Sequence, residues 1–326
     1  MKTQLSRRHF LTLMGGVACL PLISSCTPKS QPIKVSTHLW PGYQPMYLAQ
    51  KMGWLDSKKV ELTEAATFVE SISLLEQGKV HAAGVTLDEV LRMREKEIPI
   101  SVIFVCDVSA GADMVLALPT IKSLTELKGK RLAVEDGALG MLMLHQVLLA
   151  SGLKREQIKV ISVPVDKQPE AWKNGEIDAA ITFEPGASQL MKMGAKVLFD
   201  SRQIPELIFD VIAVRTDMMD GAHDEAVRHL VASHLRGLNH INTNPGDASY
   251  RMAEHFKLPA DEVMATFKGL VLPDLSNNTR LLSTASPAML QSAAVVAHAM
   301  RAAGILHKPE NLTGMIRAEY LPRASS

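Results

Sequence analysis

A strand–loop–helix unit recurs from Ile33 to about Phe199 and restarts once on the way. That alternation restricts the chain to mostly parallel sheets covered by helices. Ile33, Val35 and Thr37 alternate with Lys34 and Ser36, the period of a strand, until Pro41-Gly42 breaks the pattern. From Pro45 onward Met46, Tyr47, Leu48, Ala49, Met52 and Leu55 recur at helical spacing. Trp40, Gly42 and Tyr43 therefore fall where strand becomes helix, the part of an open α/β sheet that holds small ligands. Strands at 60–63, 81–85 and 100–105 and helices at 71–77 and 88–94 complete the first set, with Cys106-Asp107 as a polar turn.

The second set starts with a turn at 127–130 and runs through a strand at 131–135, the glycine-bearing loop 136–140 and a helix at 141–150. Strands at 158–163, 179–183 and 196–199 follow, with a helix after Pro185. Past Asp224 the pattern changes to long helices at 225–242, 248–255, 260–268 and 287–303, with no strand expected between them. Two α/β lobes of comparable size result, and 326 residues with 47% hydrophobic content suffice for two cores.

The first 25 residues read as an export leader rather than a domain. Arg7-Arg8 precedes an apolar run from Phe10 to Ile23, shorter than the about 20 residues a membrane span needs. SRRHFLT, 6–12, resembles the twin-arginine export motif, and ISSC, 23–26, resembles the lipobox of bacterial lipoproteins. The arginine pair alone also fits the positive start of a general secretory signal. Cys26 is the expected lipidation site, held by several acyl chains because one gives marginal binding, and 26–32 is a spacer. Cys19 leaves with the leader and Cys26 is modified, so Cys106 is the remaining thiol and no internal disulfide is expected. The net charge of +1 includes three leader cations and no leader acid, so the rest carries −2 and offers no basic footprint for nucleic acid.

WPGYQPMYLAQKMGWL (40–55), LKGKRLAVEDGALG (127–140), NGEIDAAITFEP (174–185) and AKVLFDSRQIP (195–205), with NPGDA at 244–248, resemble type II periplasmic solute-binding proteins of ABC importers. The similarity is greatest to the branch of sulfonate, taurine, nitrate and thiamine-precursor binders. It covers essentially the whole chain beyond the leader and is specific for fold and solute binding rather than for the solute. The resemblance implies a two-lobed fold with crossing strands near 113–117 and 210–214. Lobe one would comprise 33–112 and 213–326, and lobe two 113–212, closing on a ligand by a hinge. It further implies a monomer outside the cytoplasm, in the periplasm or at the cell surface, lipid-anchored to a membrane. A small-molecule solute and an inner-membrane ABC permease would be its partners.

Trp40 and Tyr43 flank Gly42 on the first loop, placing aromatic faces for stacking where glycine lets backbone approach. Packing of Trp40 on the following helix is the plainer alternative. Thr86 and Asp88 follow the third strand and face either the cleft or, as cap and first-turn acid, the helix start. Asp107 and Ser109 end the fourth strand. Glu135 and Gly137 lead into a helix whose free N–H groups suit an anionic ligand group, unless Glu135 or Asp136 caps that helix. Thr182 and Glu184 close a second-lobe strand at the same rim, and Asp210 lies at the hinge. Asp88, Asp107, Glu135, Glu184 and Asp210 are acids with no obvious Lys or Arg among them. Buried unpaired acids are costly, so the expected solute carries an amine or nitrogen heterocycle rather than being a simple anion.

GxSxG, HExxH, GxxxxGK[ST] and CxxC motifs are all missing, and the eleven histidines are scattered. The chain is therefore expected to be a binding protein rather than an enzyme, without cofactor or metal. A sensory module that passes its closed state to a membrane partner, and a relative turned cofactor-precursor enzyme, are the alternatives.

Overall fold

A computed structural model describes residues 30–282 and 288–323; the leader motif and Cys26 lie outside the described residues. In chain order the elements are β1 (Ile33–Thr37), α1 (Gln44–Lys51), β2 (Val60–Glu64), α2 (Phe68–Glu76), β3 (Ala82–Thr86), α3 (Leu87–Glu95), β4 (Ile100–Ser109) and β5 (Met114–Ala117). Then come β6 (Arg131–Val134), α4 (Ala138–Ser151), β7 (Lys159–Ser162), α5 (Gln168–Lys173), β8 (Ala179–Thr182), α6 (Gly186–Lys192), β9 (Lys196–Asp200) and β10 (Phe209–Arg215). The C-terminal part holds α7 (Asp224–Thr243), α8 (Pro245–Phe256), α9 (Ala260–Val263), β11 (Leu270–Val271), α10 (Leu275–Leu282) and α11 (Ala288–Ala302).

Two sheets share one plan. The six-stranded sheet runs β11-β4-β10-β3-β1-β2 and the five-stranded sheet β7-β6-β8-β5-β9. In each, three neighbouring strands are parallel and the next, β10 or β5, is antiparallel to both of its neighbours. That strand is the one arriving from the other lobe, so the chain crosses twice, at 110–113 and 201–208. The expected crossing strands thus correspond to β5 and β10. All of Phe209–Arg215 pairs in the six-stranded sheet, including residues the expected division gives to the other lobe.

Local chemistry explains the main elements. β1, β3 and β4 are almost wholly buried because helices cover both faces of this mixed sheet. The Thr67 hydroxyl accepts from Glu70 N–H at 3.1 Å, while the Glu70 carboxylate accepts from Ala66 N–H at 2.7 Å, so α2 starts on reciprocal caps. α4 is apolar nearly all round and ends at Gly152, whose φ of +67° suits glycine.

Four expectations change. Cys106 and Asp107 are no turn: both are fully buried inside the ten-residue β4, where pairing with β10 overrides the polarity of Asp107. The expected helix at 260–268 is only α9 followed by a tight 3-10 turn at Met264–Phe267, which hands the chain to β11. β11 is an unexpected strand pairing with the edge of β4, and two residues give no readable period. α10 was also unexpected, although Asp274 Oδ1 accepts from Asn277 N–H at 2.8 Å, a start signal present in the sequence.

Candidate functional site

The carboxyl ends of β1 and β3 and the amino end of β10 meet the five-stranded lobe across a narrow cleft. Cross-strand register sets Thr86 of β3 opposite Asp210 of β10, and Asp210 opposite Asp107 of β4. A row of polar side chains therefore crosses three adjacent strands. His38, one residue past β1, and Phe68, first residue of α2, stand beside it. From the other lobe come Phe183, just past β8, and Leu139, in the first turn of α4.

Aromatic edges close the space between lobes. Trp40 and Phe183 meet perpendicularly at 5.5 Å between ring centres, and His38 lies 5.1 Å from Phe68 and 6.3 Å from Phe183. Two cavities follow the seam. One of about 160 Å³ is lined by residues including His38, Phe68, Glu135, Val165 and Phe183. The other, about 10 Å³, lies among His38, Trp40, Thr86, Asp113, Phe183 and Asp210. No Lys or Arg lines either. Larger surface hollows of about 850 and 800 Å³ lie elsewhere, one beside the C-terminal segment and one behind the crossover.

What distinguishes the seam is its unsatisfied polar groups. Asp113 Oδ2, Thr182 Oγ1, Gln168 Oε1 and His38 Nδ1 are buried with no hydrogen-bond partner among the described residues, while the Thr86 hydroxyl faces the Asp88 carboxyl and the Asp107 carboxyl faces that of Asp210. Neither large hollow is lined by such an atom. Each buried unpaired polar group costs about 1–3 kcal/mol, a cost that a ligand making those bonds would offset. Burial pushes Asp88 up to about 8, helped by the charge of Glu89, and pushes Asp107 up to about 8 as well. It raises Asp113 to about 6 and Glu135 to about 7. Asp210 is held well above the usual carboxylate range by burial and by Asp107. Burial alone lowers His38 to about 3, so its imidazole is neutral.

The expected site residues divide accordingly. Trp40 reaches the cleft wall, and its Nε1–H donates to Asp107 Oδ2 at 2.9 Å, so it serves as both wall and anchor. Thr86 is the backbone cap of α3 and lines the small cavity, and its hydroxyl makes no cap bond but faces the Asp88 carboxyl. Asp210 and Glu135 line the seam cavities, whereas Asp88, Asp107 and Thr182 are buried and line neither cavity. Tyr43 is not a stacking face: it is fully buried against Gly84, and its hydroxyl donates to Asp210 Oδ1 at 2.7 Å. Gly42 makes room for the Asp107 carboxylate rather than for a ligand, since a Cβ there would overlap Asp107 Oδ2. Ser109 belongs to the crossover, its hydroxyl 2.7 Å from that of Ser201. Glu184 turns away from the cleft and accepts from the Ser188 hydroxyl and N–H at 2.8 and 3.2 Å, at the start of α6. Gly137 and the helix start behind it face Glu89 of the other lobe, not open solvent. Asp136 does not cap that helix; it accepts from Ser162 Oγ at 2.6 Å.

His38, Phe68, Asp113 and Glu89 were not singled out from the sequence as cleft residues. Asp113 had a signal, being the acid at the crossover, and Glu89 had one as a first-turn acid of α3. Phe68 had none, because only the meeting of the two lobes gives it a place.

The family model described as NMT1/THI5 like matches residues 40–248, which is more than half of the chain. The chain belongs to the NMT1/THI5-like family. The taurine-binding periplasmic protein of Escherichia coli K12 is 26% identical over 177 residues, covering 53% of this chain and 55% of that protein. The chain thus matches about half the length of this curated relative. Among solved structures, the periplasmic aliphatic sulphonate binding protein of Escherichia coli superposes with TM-score 0.70 at 16% identity, over 89% of this chain and 92% of its own. The periplasmic nitrate-binding protein of Synechocystis PCC 6803 gives TM-score 0.62 at 14% identity, over 91% and 92%. These likenesses establish the two-lobed periplasmic-binding-protein fold for this NMT1/THI5-like chain.

Proposed function

We propose that this protein is the extracytoplasmic solute-binding component of an ABC importer, and that its cleft takes a small solute bearing an amine or a nitrogen heterocycle. The observation that supports this reading is an aromatic seam lined by Thr86, Asp113, Glu135 and Asp210, with the buried acids Asp88 and Asp107 behind them, that no Lys or Arg lines. Once ionised, carboxylate oxygens accept from N–H groups, and aromatic faces hold cations and flat rings. In this reading the binding residues are Trp40, Thr86, Asp88, Asp107, Asp113, Glu135, Thr182 and Asp210 with His38, Phe68 and Phe183, while Gly42, Tyr43, Ser109, Gly137 and Glu184 position them.

The lobes divide near 112 and 212, with 113–212 as the second lobe apart from the first residues of β10. Residues 1–25 act as a twin-arginine-type export signal, and Cys26 anchors the protein to the membrane through acyl chains and the 26–32 spacer. A membrane permease receives the closed form of a monomeric receptor. In this reading the protein is a receptor and not an enzyme: burial makes His38 a weak base and pushes the Cys106 thiol well up, so neither is an activated nucleophile.

A thermal-shift screen tests the reading with small primary amines, pyrimidines, alkanesulfonates and nitrate. At about 100 times Kd a ligand stabilises by about 2.7 kcal/mol. Shifts confined to nitrogenous cations and heterocycles are expected. Shifts with sulfonates and nitrate alone would overturn the solute class, and turnover of a shifting compound would overturn the receptor role.

A further inference from the structure

The two lobes are joined at the one helix start that the sequence offered to a ligand's anionic group. Glu89, in the first turn of α3, is fully buried. Its Oε1 accepts from Ala138 N–H at 2.7 Å, at the beginning of α4 in the opposite lobe. Its Oε2 accepts from Arg92 Nε–H at 2.6 Å. Gly137 makes the approach possible: its φ is +149°, and a Cβ there would stand 3.1 Å from Glu89 Oε1 and 3.8 Å from Phe68 Cε1.

A helix N-terminus presents unpaired N–H groups and a positive dipole end, and so favours one anion. Here the protein supplies that anion itself. Asp88 beside it and Asp113 are further buried acids, and no Lys or Arg lines the adjoining cavity, so nothing there compensates a second negative group. Burial raises the pKa of Glu89, while the Arg92 guanidinium and the Ala138 N–H pull it back toward the ionised form.

We propose that Glu89 is a specificity-determining residue: an internal anion that occupies the N-terminus of α4 across the cleft and so excludes solutes carrying a sulfonate, nitrate or carboxylate group to that position. This rests on the reading that the interlobe cleft holds the solute. Glu89→Ala would release two donors at once, Ala138 N–H and Arg92 Nε–H, at a position flanked by Gly137. Glu89→Gln keeps an acceptor for the N–H but removes the charge.

The test is calorimetric titration of the full chain and both variants with ethanesulfonate, alongside circular dichroism to verify folding. Glu89→Ala is expected to bind ethanesulfonate at least tenfold tighter than the unaltered protein, and Glu89→Gln by a smaller factor of at least threefold. Affinities within twofold of the unaltered protein in the folded variants would overturn the proposal, as would micromolar ethanesulfonate binding by the unaltered protein. If Glu89→Ala does not fold, the Gln comparison decides on the same threshold. The functional reading fails separately, when the unaltered protein shifts with no nitrogenous solute; the ethanesulfonate comparison still decides the role of Glu89.

Discussion

Replacing Asp113 by Asn tests the electrostatics of the cleft at the acid where the chain crosses between lobes. Asp113 is fully buried at the crossover, its Oδ2 has no partner among the described residues, and burial pushes its pKa from an ordinary 3.8 to about 6. A folded pKa raised above the unfolded value gives stability that is fully present below about pH 4 and is lost as pH rises through about 6. The two-unit shift is worth about 3 kcal/mol at about 1.4 kcal/mol per unit. Over pH 4.5 to 7.5 the linkage relation leaves about 2 kcal/mol of that change. Asn keeps the shape but cannot ionise, so the variant lacks this loss. Urea unfolding of the ligand-free protein and of Asp113→Asn at both pH values should give a stability difference that moves by about 2 kcal/mol in favour of the variant at pH 7.5. Parallel pH profiles would refute the reasoning, because they would mean that the Asp113 carboxyl is solvated or already paired.

Two further substitutions probe the walls. Gly42→Ala forces a methyl onto Asp107 Oδ2 and within 2.9 Å of Trp40 Nε1, so it should destabilise by about 1–3 kcal/mol, measured by thermal unfolding, and weaken solute binding; an unchanged midpoint would show that the loop and Asp107 are not so tightly placed. Phe183→Ala removes the ring that meets Trp40 and His38 across the seam. At about 0.5–1.5 kcal/mol per aromatic pair it should weaken solute affinity by about tenfold in a calorimetric titration. Full affinity in Phe183→Ala would mean that the seam does not close on the solute.

The architecture was legible because its central strands are buried on both faces and most of its helices carry one apolar stripe, so short β-branched runs and helical spacing stand out. β1, β3, β6 and β8 fall within a residue or two of where the periods put them. The missing pieces were those set by tertiary partners. Asp107 looks like a turn residue until β10 pairs alongside it, and β11 exists only because β4 offers an edge. For the site, strand ends marked the right loops, so Trp40, Thr86, Asp107 and Asp210 could be picked out. What each side chain does depended on distances no sequence carries: Tyr43 lies under Gly84, Glu184 bends back to Ser188, and Glu89 reaches the opposite lobe. The acid-rich, cation-poor character of the cleft was legible from residue types alone, and burial then fixed its protonation.

The most direct measurement of the central claim is the pH dependence of binding for the solute giving the largest thermal shift, titrated at pH 6 and pH 8 in buffers of different ionisation enthalpy. A cationic or N–H-rich solute favours ionised carboxylates, and the raised values of Asp88, Asp107, Asp113 and Glu135 mean that binding must displace their protons. The account predicts tighter binding at pH 8 with net proton release. Tighter binding at pH 6 with proton uptake would contradict it and identify an anion as the solute.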